Sequence, residues 1–185
     1  MIIHIELTPN PNAIKFITEI DISLEQPIHF SSLDEAKTRS SLALELFGIK
    51  SVKSVFFGSD FITITKDEEA KWDILTNQVS TIITDYIMSG MEILDKEFDS
   101  GLLSSNNNDI TEIEKQIIEI IETRVRPSVA MDGGDIIYRG FKNGVVELEL
   151  RGSCAGCPSS TITLKDGIES MLKHFVPEVE SVEAV

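Results

Sequence analysis

Residues 150–160 read LRGSCAGCPSS, and this short segment holds both cysteines of the 185-residue chain. The apolar alternation over 145–150 predicts a strand that leads into the segment, and apolar residues at helical spacing after it predict a helix. Pro158 is a favoured first residue of a helix, so Cys157 is expected at or beside the helix start. The sequence therefore places Cys154 and Cys157 in a loop between a strand and a helix.

Two cysteines separated by two residues are typical of half of a four-thiolate metal site. The unpaired N–H groups and the positive dipole at a helix start favour the thiolate, which is the form that binds metal. Ser159 and Ser160 could add hydroxyl donors to sulfur, and Gly152 and Gly156 let the main chain approach a bulky group. From the residues alone, the pair fits zinc, an iron–sulfur cluster or a dithiol redox centre.

The rest of the chain offers no obvious second half for such a site. Its three histidines, His4, His29 and His174, are scattered along the sequence, and His174 lies about four helical turns beyond the cysteines. We interpret all three as ordinary surface or satisfied histidines. The shortage of ligands predicts that a second copy of the chain completes the site.

Composition argues against two classes of partner. The chain has 16 basic and 31 acidic residues, a formal net charge of −15, and no basic cluster that could neutralise phosphates. We therefore expect no nucleic-acid and no membrane partner, and no apolar run approaches the length of a membrane span. The amino terminus lacks the pattern of a secretory signal or a transit peptide. We expect a reducing compartment: the bacterial cytoplasm, or the mitochondrial matrix for a processed eukaryotic form.

The fold class predicted from periodicity is α+β, with two small α+β domains joined by a polar linker. The first domain, 1–90, should hold about four strands and two helices: strands near 3–7, 14–18, 52–57 and 61–65, a helix over 40–47 that ends at Gly48, and a second helix capped by Asp67. That second helix should end near Ser89 and Gly90.

A polar linker is predicted at 91–109, because its Ser/Asn-rich end cannot pack. The second domain, 110–185, should run in the order αββαβ. Thr111 and Glu114 form a capping box for its first helix, which Arg126 and Pro127 should end. Strands at 135–139 and 145–150, the cysteine loop, a helix and a last short strand follow.

With these motifs in place, the chain resembles the Nfu-type members of the NifU-like iron–sulfur cluster carriers. The carboxy-terminal half is similar to the NifU carboxy-terminal domain over nearly its full length, and the amino-terminal half is similar to the Nfu amino-terminal domain. The stretches that carry the resemblance are TPNPNAIKF at 8–16, RP at 126–127, MDGGDI at 131–136, the cysteine segment at 150–160 and TLKDGIE at 163–169.

The resemblance implies a non-enzymatic carrier or scaffold of iron–sulfur cluster assembly. Cys154 and Cys157 of two subunits would hold one labile [4Fe–4S] cluster in a homodimer, with zinc or [2Fe–2S] less expected. Upstream assembly proteins would supply the cluster, and apo iron–sulfur proteins would receive it. A cluster exposed at a symmetric interface would be open to incoming thiolates.

Other interpretations of the same residues stay open. The cysteine pair could serve a thiol–disulfide oxidoreductase or a zinc-bridged structural dimer. Residues 132–135, DGGD, predict a turn whose glycines take positive φ. Arg139 and Arg151 could balance an anionic cluster, although solvated charges at strand ends are favoured. Residues 8–12 predict either a tight turn or a loop that recognises a partner, and the sequence does not decide between them.

Overall fold

The structure is a computed structural model that describes residues 2–18, 22, 26–94, 110–156 and 158–185, with the side chains of 158–161 left aside. Among these described residues, the first unit has five strands and three helices. In chain order they are β1 (His4–Leu7), β2 (Ala13–Ile17), β3 (Ile28–Phe30), α1 (Leu33–Lys37), α2 (Ser41–Phe47), β4 (Val52–Phe57), β5 (Phe61–Lys66) and α3 (Trp72–Met88).

The first five strands form one antiparallel sheet in the order β1-β2-β5-β4-β3. Phe16, Ile62 and Ile64 lie on one face and form a core with apolar residues of α2 and α3. Every residue of β5 is nevertheless buried. A sheet with one solvated face shows alternating burial, so the second face of this sheet must be covered as well.

Two elements of the first unit go beyond the sequence prediction, and one prediction is wrong. The sequence does not predict β3 and α1, because with three and five residues they are too short to show a period. Asp67 does not cap α3, which begins at Trp72. The N–H of Asp67 donates to the carbonyl of Ser51, and the carbonyl of Asp67 accepts from the N–H of Ala70. These bonds hold Asp67 in a separate turn before the helix.

The second unit runs in the predicted order αββαβ. Its elements are α4 (Glu112–Ile120), a π-helical turn (Ile121–Val125), α5 (Arg126–Met131), β6 (Gly134–Lys142), β7 (Val145–Gly152), α6 (Pro158–Phe175) and β8 (Ser181–Ala184). β7 lies between β6 and β8, antiparallel to β6 and parallel to β8. The capping box of Thr111 and Glu114 is confirmed.

The prediction that Arg126 and Pro127 end the first helix of this unit is wrong. The chain stays helical through the π-helical turn and through α5 to Met131. Proline lacks an N–H and its ring crowds the preceding helical turn, and a wider π-helical turn relieves that conflict. The continued helix delivers Asp132 and Gly133 to the edge of the cysteine loop.

The two units are joined by a segment that falls mostly outside the described residues. Of the predicted linker, 95–109 cannot be described, while Ile93 and Leu94 pack against the core of the first unit. Within the described parts of the chain, no helix is both long enough and apolar enough to cross a membrane.

Candidate metal centre

Cys154 lies in the loop that follows β7. Gly152 and Gly156 flank it with positive φ values of 65° and 74°, a backbone conformation that favours glycine. α6 begins at Pro158, in agreement with the predicted helix start. Cys157 lies outside the described residues, so its place beside the helix N-terminus stays a prediction.

The thiol of Cys154 is packed against the glycine pair at the start of β6. Cys154 is 7% exposed and belongs to the core of the second unit. A Cβ atom at Gly134 would lie 2.6 Å from the Cys154 sulfur and 2.8 Å from the carbonyl oxygen of Arg151. The predicted positive φ is confirmed for Gly133, at 79°, but not for Gly134. The lack of a side chain at Gly134 instead leaves room for the Cys154 thiol.

Hydrogen bonds tie the cysteine loop to the turn before β6. The Ser153 hydroxyl donates to the carbonyl of Asp132 over 2.6 Å, and the Ser153 N–H donates to the carbonyl of Gly133 over 3.2 Å. The same hydroxyl oxygen lies 3.8 Å from the Cys154 sulfur. Ser153 is thus a hydroxyl neighbour of the thiol that the sequence analysis, which pointed to Ser159 and Ser160, did not anticipate.

A cavity of about 590 Å³ opens beside Cys154. α5, α6 and the π-helical turn form most of its wall, and one residue of the first unit, Pro9, completes it. Its lining consists of Pro9, Arg124, Val125, Ser128, Val129, Asp132, Ser153, Cys154, Thr163, Leu164, Gly167, Ile168 and Met171. The wall is mainly aliphatic. The guanidinium of Arg124 lies over the Phe175 ring, 4.5 Å from its centre, at the end of α6 opposite to the cysteine loop.

The arginines singled out from the sequence are engaged elsewhere. Arg139 and Arg151 both bind Glu149. Burial acts to raise the pKa of Glu149, but the hydrogen bonds and charges of the two arginines outweigh it and hold that pKa below its usual value. Neither arginine contributes to the wall of the cavity, so the less favoured interpretation, in which Arg139 and Arg151 balance a cluster, gains no support.

The acidic end of the DGGD turn is part of a buried ion pair. Asp135 is 3% exposed and receives two hydrogen bonds from the Arg126 guanidinium, over 2.7 and 3.0 Å. Arg126 also binds Glu122 on its outer side. The hydrogen bond to Asp135 raises the pKa of Arg126 further above its usual value. Arg126 and Asp135 therefore fasten the helix to β6.

Side chains of the first unit bind the main chain around Cys154. Asn10 donates to the carbonyl of Ser153 over 3.0 Å, and the Thr63 hydroxyl donates to the carbonyl of Gly133 over 2.7 Å. Lys15 donates to the carbonyl of Met131 over 3.3 Å. The N–H of Gly152 donates to His29 Nδ1 over 3.5 Å. These contacts cover the second face of the first sheet.

The histidines and the other possible ligands do not gather at Cys154. His4 and His174 are exposed, and His29 is half-buried at the contact between the two units. Among the residues that the structure describes, no three His, Cys, Asp or Glu side chains cluster as a metal site.

Comparison with known proteins agrees with this architecture, which is that of a two-domain protein with a cysteine loop in its second domain. A model described as "Scaffold protein Nfu/NifU N terminal" matches residues 3–90, and a model described as "NifU-like domain" matches residues 117–183. The chain belongs to the Nfu-type family of NifU-like proteins.

Two curated relatives and one solved structure are similar to the chain. The human "NFU1 iron-sulfur cluster scaffold homolog, mitochondrial" is 47% identical over 186 residues, which cover 100% of this chain and 72% of that protein. The protein of the same name from Drosophila ananassae is 40% identical and is covered to 64% of its length. A solution structure of a NifU-like protein from Saccharomyces cerevisiae has 27% identity and a TM-score of 0.47, covering 52% of this chain and 86% of that one.

Proposed function

We propose that the chain is an iron–sulfur cluster carrier that binds a labile [4Fe–4S] cluster between two copies and passes it to apo-proteins. The observation that carries this proposal is the ligand count. The chain has two cysteines in all, both between the end of β7 and the start of α6 in the sequence, whereas a [4Fe–4S] cluster takes four thiolates. Two copies related by symmetry would supply them. Membership of the family, whose relatives are named as cluster scaffolds, supports the same role.

The residues around Cys154 suit an anionic, sulfur-rich cargo. The two positive-φ glycines and the missing side chain at Gly134 leave the main chain close to the thiol. A helix start after the second cysteine favours thiolates.

The role we propose is non-enzymatic. Upstream assembly proteins would deliver the cluster, and thiolates of an apo iron–sulfur protein would replace Cys154 and Cys157 one at a time. Since cluster ligands must be reduced thiolates, the protein needs a reducing compartment. The relatives named above are mitochondrial, so we propose a mitochondrial location. The expectation of a bacterial cytoplasm has no support from them.

Anaerobic reconstitution with iron and sulfide, followed by Mössbauer spectroscopy, tests the proposal because it identifies metal and nuclearity together. We expect the spectrum of a [4Fe–4S] cluster from the native chain, and no bound iron from Cys154→Ala or Cys157→Ala. Asn12→Asp, which keeps both cysteines, should load like the native chain. Zinc in anaerobically purified protein would favour a structural zinc dimer. Disulfide-reducing turnover without iron would favour an oxidoreductase, and either result would overturn the carrier role.

A further inference from the structure

The turn at 8–12, whose role the sequence left undecided, binds this chain's own cysteine loop. The turn is held rigidly from within: Thr8 Oγ1 accepts from the N–H of Asn10 and donates to the carbonyl of Ala13, and Asn10 Oδ1 accepts from the N–H of Asn12. The bond from Asn12 uses the side-chain oxygen of Asn10. The side-chain nitrogen of Asn10 donates to the carbonyl of Ser153, the residue before Cys154.

A second hydrogen bond joins the first unit to the glycine turn that contacts the cysteine loop. The Thr63 hydroxyl donates to the carbonyl of Gly133, and a Cβ atom at Gly133 would lie 2.9 Å from that hydroxyl oxygen. The N–H of Ser153 also donates to the Gly133 carbonyl. One oxygen thus joins the first sheet, the glycine turn and the cysteine loop.

Both contacts are shut off from water. Asn10 is 3% exposed, Thr63 is 1% exposed and Ser153 is 2% exposed. An acceptor buried at such a contact costs free energy when its donor is removed. The two bonds therefore favour the docked arrangement, in which Pro9 forms part of the wall of the cavity beside the buried Cys154.

We propose that Asn10 and Thr63 are positioning residues for the cysteine loop, and that undocking of the amino-terminal domain makes the Cys154 thiol available. The docked form holds the loop in one conformation and keeps other thiolates and a second copy away from it. The undocked form presents the loop for cluster exchange. This inference rests on the proposed function only in taking Cys154 as a cluster ligand.

The test measures the alkylation rate of Cys154 by iodoacetamide in the reduced, iron-free full chain. All variants are made in a Cys157→Ser background, so that Cys154 is the single thiol. Asn10→Asp keeps the acceptor of the turn and removes the donor to Ser153. Thr63→Val keeps the volume of the side chain, removes the donor to Gly133 and changes no charge. At iodoacetamide concentrations low enough that alkylation is slow relative to reclosing, the alkylation rate reports the population of the undocked form.

Each of these two variants should raise the alkylation rate about tenfold, as expected for loss of one buried hydrogen bond. The matched controls are Asn12→Asp, which makes the same change in the same turn where the side chain binds Lys66, and Thr65→Val, two residues along β5. Both controls should stay within about twofold of the parent. Thermal unfolding confirms that every variant is folded.

Unchanged rates in Asn10→Asp and Thr63→Val would overturn the inference, and so would equal acceleration in the controls. If Asn10→Asp does not fold, Thr63→Val against Thr65→Val decides alone. The assay contains no iron, so its failure would leave the carrier role standing. Conversely, a native chain that takes up no iron would remove the carrier role and leave the docking intact.

Discussion

The side-chain nitrogen of Asn10 lies 3.0 Å from the carbonyl oxygen of Ser153, although the two residues are 143 positions apart in the sequence. This bond brings the two domains together at the residue before Cys154. The surroundings of the thiol therefore depend on both halves of the chain, and Pro9 of the first unit lines the cavity beside it together with residues of the second unit.

Gly134→Ala should destabilise the protein by about 1–3 kcal/mol, because the new methyl group would overlap the Cys154 sulfur and the Arg151 carbonyl. Gly140→Ala is the matched control in the same strand, since its nearest atom would be at 3.7 Å. Urea unfolding of both variants checks the prediction. Equal stability of the two would show that Gly134 does not make room for the thiol.

Asp135→Asn should lower the free energy of unfolding by about 2–3 kcal/mol, because it leaves one side of Arg126 without its buried charged partner. Glu122→Gln removes the partner on the other side of the same guanidinium, where the carboxylate side chain is 49% exposed, and should cost less than about 1 kcal/mol. Chemical denaturation compares the two. A larger loss in Glu122→Gln would contradict the assignment of Asp135 as the buried anchor.

His29 should make the stability of the protein depend on pH. Burial and the charge of Arg151 lower the pKa of His29 below 6.5, against smaller opposing effects of Glu35 and Glu149. The unfolded chain therefore binds more protons at this site, so the free energy of unfolding should fall as the pH drops below about 6.5 and level off once the folded imidazole is protonated. Protonation of Nδ1 would also remove the acceptor for the N–H of Gly152.

Urea unfolding over this pH range measures the effect. His29→Gln should flatten the pH dependence near 6.5, whereas the exposed His174→Gln should leave it as in the native chain. An unchanged slope in His29→Gln would assign the dependence to other groups.

Local patterns were enough to predict the elements that carry the candidate site. The capping box at Thr111, the helix start at Pro158 and the order αββαβ follow from capping rules and hydrophobic periods, and the structure has all three. The prediction that the helix ends at Pro127 is wrong because the sequence alone does not show the π-helical turn before it. That turn lets the helix continue although Pro127 has no N–H to donate.

The contact between the domains could not be predicted in the same way. Alternating Ile and Thr residues in β5 indicate a strand with one apolar face and one solvent-exposed face. Thr63 is instead buried and donates to the carbonyl of Gly133, 70 positions away in the sequence. A hydrogen bond to a main-chain carbonyl leaves no periodic pattern in the sequence. It also does not require a particular residue type as the acceptor, so the partner cannot be recognised from the sequence. Gly134 was unpredictable for a related reason, since its role depends on a sulfur atom brought in from another segment.

Native mass spectrometry of the anaerobically reconstituted protein tests the shared-cluster proposal most directly, because it weighs subunits, iron and sulfide in one particle. We expect two chains with four iron and four sulfide ions, and separate metal-free chains for Cys154→Ala and Cys157→Ala. A single chain that keeps its metal with ligands of its own would contradict the account.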